Sequence, residues 1–265
     1  MLAKRFVSSV VLAAIVFVSV GRDWLFGLVV TLFIGMALNE FFAMLAKKGI
    51  NAFRFFGLII GLIIPLSIVF RFELTKGWEL LFIICAFIVL ILMQFIRRKN
   101  SGAVVDISTT VFAILYISWP LSFFIKIRYL ENGLGLLLSV LLITKLGDIG
   151  AYLVGSRWGH IPLLPHISPK KTVEGALGGL FFSVLGAIVS RPFLHFGYSH
   201  LVLLGLVFAV LGQLGDLSES LIKRDCQLKD SGMIIPGMGG VLDLVDSLIF
   251  TGPAFYFYIS SIITR

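Results

Sequence analysis

Apolar runs long enough to cross a bilayer recur along almost the whole chain, and they leave few folds open. A bilayer core needs about 20 mostly apolar residues per helix. In hydrocarbon the backbone N–H and C=O groups must pair internally, which a helix does within its own segment. Stretches near 5–20, 24–46, 55–70, 78–96, 104–125, 133–155, 173–190, 198–222 and 241–262 meet or approach that length. The expectation is an all-α polytopic integral membrane protein with about nine transmembrane helices. Composition agrees, with 58% of the 265 residues hydrophobic and only 14% charged. A soluble domain is nearer half apolar and a quarter charged. Residues 1–100 read as a scaffold of about four helices, and 101–265 as the helices that carry the polar motifs. The start, Lys4-Arg5 before an apolar run, imitates a signal peptide. No A-x-A site follows and further spans come at once, so a retained first helix is expected.

The net charge of +8 does not imply nucleic acid as a partner, because no basic stripe with interleaved aromatics occurs. Lys and Arg gather instead on alternate loops, which is how cytoplasmic loops of membrane proteins are marked. With about nine spans, the side holding the N-terminus carries the larger share of them. It also holds the polar loops 156–172 and 223–240, so the N-terminus and these loops are expected in the cytoplasm, the protein sitting in a bacterial inner membrane. Cys85 lies in an apolar segment and Cys226 in a polar one, without metal-ligand spacing, so neither a disulfide framework nor a zinc site is expected.

The densest polar run is SLIKRDCQLKDSGMIIPGMGGVLDLVD, Ser220 to Asp246, set between two apolar segments. Asp216, Glu219 and Lys223 are spaced i, i+3 and i+7 and share one helical stripe. Asp243 and Asp246 are three apart and are expected on one face at the start of the last helix. Carboxylates in a membrane segment persist when paired, metal-bound or lining water. Hard oxygen donors at this spacing suit Mg²⁺, which takes one or two carboxylates and completes its shell with water and phosphate. Asp148, three residues after Lys145, adds a fourth acid, and simple neutralisation by Lys145 is the competing reading. Lys223, Arg224 and Lys229 are cations that can hold phosphate.

A second polar run, SPKKTVEG from Ser168 to Gly175, opens the seventh apolar segment. Thr172 is placed to cap the helix, with Glu174 in its first turn. Lys170 and Lys171 beside free N–H groups make an anion site. Asn39 and Glu40 lie inside the second span, where pairing with a neighbouring helix is expected, and no motif accompanies them. His160, His166, His195 and His200 read as surface histidines, and no P-loop occurs. Acids for a metal beside cations for phosphate point to phosphoryl or nucleotidyl transfer at a membrane surface.

These motifs resemble the C-terminal pattern of the CDP-diacylglycerol synthases, the phosphatidate cytidylyltransferases. That pattern runs S-x-x-K-R-x-x-x-x-K-D, P-G-H-G-G, D-R-x-D. Ser220, Lys223, Arg224, Lys229, Asp230, Pro236, Gly237, Gly239, Gly240, Asp243 and Asp246 match it. GDIGAY resembles the family's D-x-x-A-Y through Asp148, Ala151 and Tyr152. SPKKTVEG resembles its S-P-x-K-T-x-E-G through Ser168, Pro169, Lys171, Thr172, Glu174 and Gly175. The resemblance covers roughly the last 120 residues. Two positions depart: Met238 stands where the pattern has His, and Leu244 where it has Arg. Leu cannot imitate a bidentate guanidinium, so the departures imply a weakened site.

The resemblance implies that CTP and phosphatidic acid give CDP-diacylglycerol and pyrophosphate, with membrane lipids around the enzyme. It places Mg²⁺, with or without a second cation, on Asp246, Asp216, Asp243 and Asp148. It assigns catalysis to Asp216, Asp243, Asp246, Lys223 and Arg224. Substrate binding falls to Ser168, Lys170, Lys171, Thr172, Glu174, Ser220, Lys229, Asp230, Gly237, Gly239 and Gly240. Similar proteins form homodimers, an expectation carried by the resemblance alone. The rival readings are another membrane phosphotransferase acting on a lipid or polyprenyl phosphate, and an ion-coupled transporter.

Overall fold

The structure, a computed structural model, describes residues 11, 14–15, 18–72, 76–97, 101–235, 237 and 239–263. The expected span at 5–20 lies largely outside the described residues, as do Pro236 and Met238. The chain is mostly helical. In order it forms α1 (Asp23–Lys47), α2 (Arg54–Val69), α3 (Lys76–Ile96) and α4 (Ala103–Ala113). A π-helical stretch, Ile114–Ser118, joins α4 to α5 (Trp119–Arg128). Then come α6 (Gly133–Trp158), strands β1 (Pro162–Leu164) and β2 (Ser168–Thr172), α7 (Val173–Val189) and the short α8 (Arg191–Leu194). The chain ends with α9 (Tyr198–Asp225), the single turn α10 (Leu242–Val245) and α11 (Leu248–Ile263). Among the described residues, four segments are long and apolar enough to cross a membrane: Asp23–Lys47, Ala103–Arg128, Gly133–Trp158 and Tyr198–Asp225. Shorter apolar helices occupy Arg54–Val69, Leu80–Ile96, Val173–Val189 and Leu248–Ile262.

Two compact units emerge, Met1–Ile125 with Ser231–Leu242, and Lys126–Asp230 with Asp243–Arg265. In the first, α1 and α2 pack through small residues, as helices in lipid tend to. Gly57, Gly61, Pro65 and Val69 form the buried stripe of α2. A Cβ on Gly57 would meet the Phe42 ring at 2.3 Å, and one on Gly61 would meet Leu38 at 2.4 Å. Polar tethers close the unit: Asn51 N–H donates to Asp106 at 3.1 Å and Phe53 N–H to Thr110 at 2.9 Å.

In the second unit, α6 and α7 lie close enough that glycines are required. A Cβ on Gly147 would sit 2.3 Å from Ser183 Oγ, and one on Gly178 2.5 Å from Val154. The segment before α7 departs from the all-α expectation, since β1 and β2 pair antiparallel, Pro162 opposite Thr172 and Leu164 opposite Ser168. Pro162, Pro165 and Pro169 keep this stretch from continuing a helix, and a short extended pair satisfies part of its backbone instead.

Candidate active site

α7 begins as its sequence implies. Thr172 caps it, its Oγ1 accepting from Gly175 N–H at 3.1 Å. Glu174 in the first turn accepts from Ile161 N–H at 3.3 Å through both carboxylate oxygens, which ties β1 to the helix start. Lys170 and Lys171 thus sit on β2, just before the cap. Lys170 is exposed. Lys171 turns its ammonium onto Asp216 at 2.6 Å. Its stem keeps the side chain 28% exposed, while Nζ itself is covered.

Asp216 is carried by α9, and Gly215 beside it lets that helix approach the turn after α10. A Cβ on Gly215 would lie 2.4 Å from the Asp246 carbonyl oxygen. Asp246 is buried, and its Oδ1 accepts from Ser247 N–H at 2.6 Å. Its acidic electrostatic neighbours are Asp216 and Asp148, and its basic neighbour is Lys145. Lys145 is more than a counter-ion to Asp148. Its ammonium donates to Asp148 at 3.0 Å, to Ser247 Oγ at 2.9 Å and to the Leu244 carbonyl at 3.1 Å. Ser247 in turn donates to Asp148 at 2.9 Å. One lattice therefore joins Lys145, Asp148, Asp246 and Ser247, with Asp216 and Lys171 beside it.

A second cluster lies one turn further along the same stripe of α9. Lys223 bridges Asp243 at 2.6 Å and also reaches Glu219, which is fully buried. Asp243 and Asp246 do not share a continuous helix, contrary to the sequence expectation. The last apolar segment breaks after Val245, and Asp246 and Ser247 form a turn before α11. The Asp246 carboxylate takes the N–H of the next residue, a local bond that competes with helix propagation.

Other expected residues stand apart from this lattice. Arg224 is exposed and donates to the carbonyls of Ile167 at 3.2 Å and Leu228 at 3.1 Å. Lys229 and Asp230 are exposed, Ser168 is half-buried and Ser220 is buried. Gly237, Gly239 and Gly240 belong to the first unit. Ile235 and Gly239 form an isolated antiparallel bridge, and Gly237 and Gly239 take φ of 80° and 104°, the left-handed region glycine favours. Leu244 is half-buried with its carbonyl engaged by Lys145. Lys145 and Ser247 are the residues that sequence reasoning undervalued. A lysine in mid-span was a signal for the first, and nothing marked the second.

The cluster can neutralise phosphate charge through ammonium groups and offer oxygens to a hard cation. Comparison with known proteins identifies the family. Residues 3–262 match the model of the cytidylyltransferase family. A phosphatidate cytidylyltransferase of Synechocystis is 32% identical, over 97% of this chain and 96% of its own length. One from Bacillus subtilis is 34% identical over 97% of both chains. One from Staphylococcus aureus is 40% identical over 62% of this chain and 63% of its own.

Proposed function

Because the chain belongs to the cytidylyltransferase family, we propose that it makes CDP-diacylglycerol and pyrophosphate from CTP and phosphatidic acid. The observation that carries this is similarity over nearly the full length to relatives bearing the name phosphatidate cytidylyltransferase. A phosphate oxygen of phosphatidic acid attacks the α-phosphorus of CTP in line. The new P–O bond forms as the bond to the bridging oxygen breaks, and pyrophosphate leaves with that electron pair. A phosphate monoester is largely dianionic near neutral pH, with a second pKa of about 6, so the nucleophile needs little help from a base. Positioning and charge neutralisation then supply most of the acceleration.

The ion pairs of the second unit suit this task. Lys171 and Lys145 rest on Asp216 and Asp148 through flexible stems. Each ammonium can turn from its carboxylate to an incoming phosphate, which a fixed backbone donor cannot do. Lys170, Arg224 and Lys229 are exposed cations that would meet phosphate from solvent. Lys145 also places a cation beside position 244, where the family pattern has Arg and this chain has Leu.

Asp246, with Asp148 and Asp216 as neighbours, is an oxygen donor set of the type Mg²⁺ accepts. Among the described residues no group of three or more His, Cys, Asp or Glu has metal-holding geometry. The neighbouring carboxylates of Asp246, Asp148 and Asp216 fit an ion that arrives with the triphosphate and takes one or two of them, Asp246 first. Bound there, Mg²⁺ would neutralise charge on the phosphates. A second cation would require Asp243 to leave Lys223.

The nine-span arrangement is supported by four long and four shorter apolar helices together with the apolar stretch before residue 20. With the N-terminus in the cytoplasm of a bacterial inner membrane, the loops 156–172 and 223–240 face soluble CTP. Single cysteines at Ser168 and Lys229, in a protein lacking Cys85 and Cys226, should resist an impermeant thiol reagent in sealed cells; labelling of either overturns the topology. A homodimer is tested by the mass of the detergent-solubilised protein. The reaction itself is tested by pyrophosphate release, which should require CTP and phosphatidic acid together. Release of CMP instead would favour a phosphotransferase.

A further inference from the structure

Glu40 is a buried carboxylate, 3% exposed, near the end of the otherwise apolar α1. A charge in that position is costly unless its oxygens are filled. They are filled by a segment roughly two hundred residues away in sequence. Val241 N–H donates to Oε1 at 2.9 Å and Leu242 N–H to Oε2 at 2.9 Å. Ser231 Oγ adds a third donor at 3.2 Å. Two glycines make room for the carboxylate. A Cβ on Gly232 would lie 2.6 Å from Oε1, and one on Gly240 would lie 2.5 Å from Oε2 and 2.0 Å from Ser231 Oγ. All these residues belong to the first unit.

The geometry has a direction. Ser231 and Val241 bracket the glycine loop, so one carboxylate closes the loop at its base. The Ile235–Gly239 bridge closes it again near its tip. Leu242 is also the first residue of α10, whose opening N–H groups lack a helical acceptor. Glu40 therefore does from another helix what a capping side chain does locally. Asp243 follows Leu242 directly.

We infer that Glu40 is a positioning residue for the transfer reaction: it fixes the exit of the glycine loop, from which the chain runs directly into Asp243. The inference rests on the proposed cytidylyl transfer, but its first readout does not. Glu40→Gln keeps the shape and replaces one acceptor oxygen with a donor, so one of the three bonds is lost and two donors are opposed. In the full-length protein in detergent, amide exchange at Val241 and Leu242 should accelerate by about tenfold or more while exchange in the rest of α1 stays unchanged. With CTP and phosphatidic acid, kcat should fall on the order of tenfold to a hundredfold, and KM for CTP should move by less than about threefold. Ser231→Ala removes only the weakest donor, folds more safely, and should give the same pattern at smaller size. Unchanged exchange at 241–242 in both variants overturns the inference. So does a loss of protection spread across the whole protein, which would mark Glu40 as structural only. If wild-type protein shows no CTP-dependent product, the exchange result still decides the role of Glu40, and the failure belongs to the functional reading.

Discussion

Glu40 in the first unit and three half-buried acids of the second are held in opposite ways. In the first, Glu40 is held by two backbone N–H groups and a hydroxyl, and it is sealed from solvent. In the second, Asp148, Asp216 and Asp243 each face a lysine ammonium, and the Lys145 and Asp148 side chains remain 39% and 38% exposed. Backbone donors are fixed by the fold and cannot follow a ligand. Ammonium groups on flexible stems can exchange a carboxylate for a phosphate. On the proposed function, the difference separates a carboxylate that sets geometry from carboxylates whose cations would meet phosphate. Glu40, caged by neutral donors, holds a loop in place, whereas Asp148 and Asp216, each paired with a lysine, would keep that cation ready, and Asp246 is proposed to meet the metal ion instead.

The hardest blow to this contrast is aimed at Asp246. Asp246→Asn retains an acceptor for Ser247 N–H but loses the charge a hard cation needs. Turnover measured against Mg²⁺ concentration should drop by about a hundredfold or more, with thermal stability little changed. Near-normal turnover at ordinary Mg²⁺ would remove Asp246 from the chemistry and blur the distinction between the units.

Restoring the family residues sharpens the contrast from the other side. Met238→His with Leu244→Arg should raise cytidylyl transfer by roughly tenfold to a hundredfold, taking a preorganised donor as guide. The effects need not add, because the two positions belong to one motif. Leu244→Arg alone should help less, because Lys145 already places a cation at that carbonyl. Equal turnover in the parent and the double variant would show that neither departure matters.

The smallest expected effect is at Lys171. Lys171→Met should raise KM for CTP by about tenfold, the worth of one charge-assisted hydrogen bond, with kcat falling less. A fall in kcat without a change in KM would place Lys171 in the transition state alone and weaken the picture of an exchangeable ion pair.

Periodicity made much of this legible. Asp216, Glu219 and Lys223 read as one stripe because α9 is continuous through all three, and Thr172 read as a cap because its partner is three residues away. Local rules find local partners. They failed where a local bond interrupts a good apolar pattern, as at Asp246 and Ser247, where the last segment splits into α10 and α11. They failed again where a short Pro-containing stretch becomes β1 and β2 rather than a plain loop. Glu40 was invisible as more than an unexplained polar residue, because its partners are main-chain groups far along the chain. Main-chain donors leave no trace in residue identity. Lys145 could be paired with Asp148 from spacing alone, but its bonds to Leu244 and Ser247 needed tertiary structure.

The most direct test of cytidylyl transfer follows the two ends of the triphosphate. Purified protein in mixed micelles with phosphatidic acid and Mg²⁺ is given CTP labelled at the α-phosphorus in one sample and at the γ-phosphorus in another. The α label should pass into the lipid phase as CDP-diacylglycerol, and the γ label should stay in water as pyrophosphate. Lipid that acquires the γ label, or a folded sample in which the α label never enters lipid even with Met238→His and Leu244→Arg in place, would contradict the account.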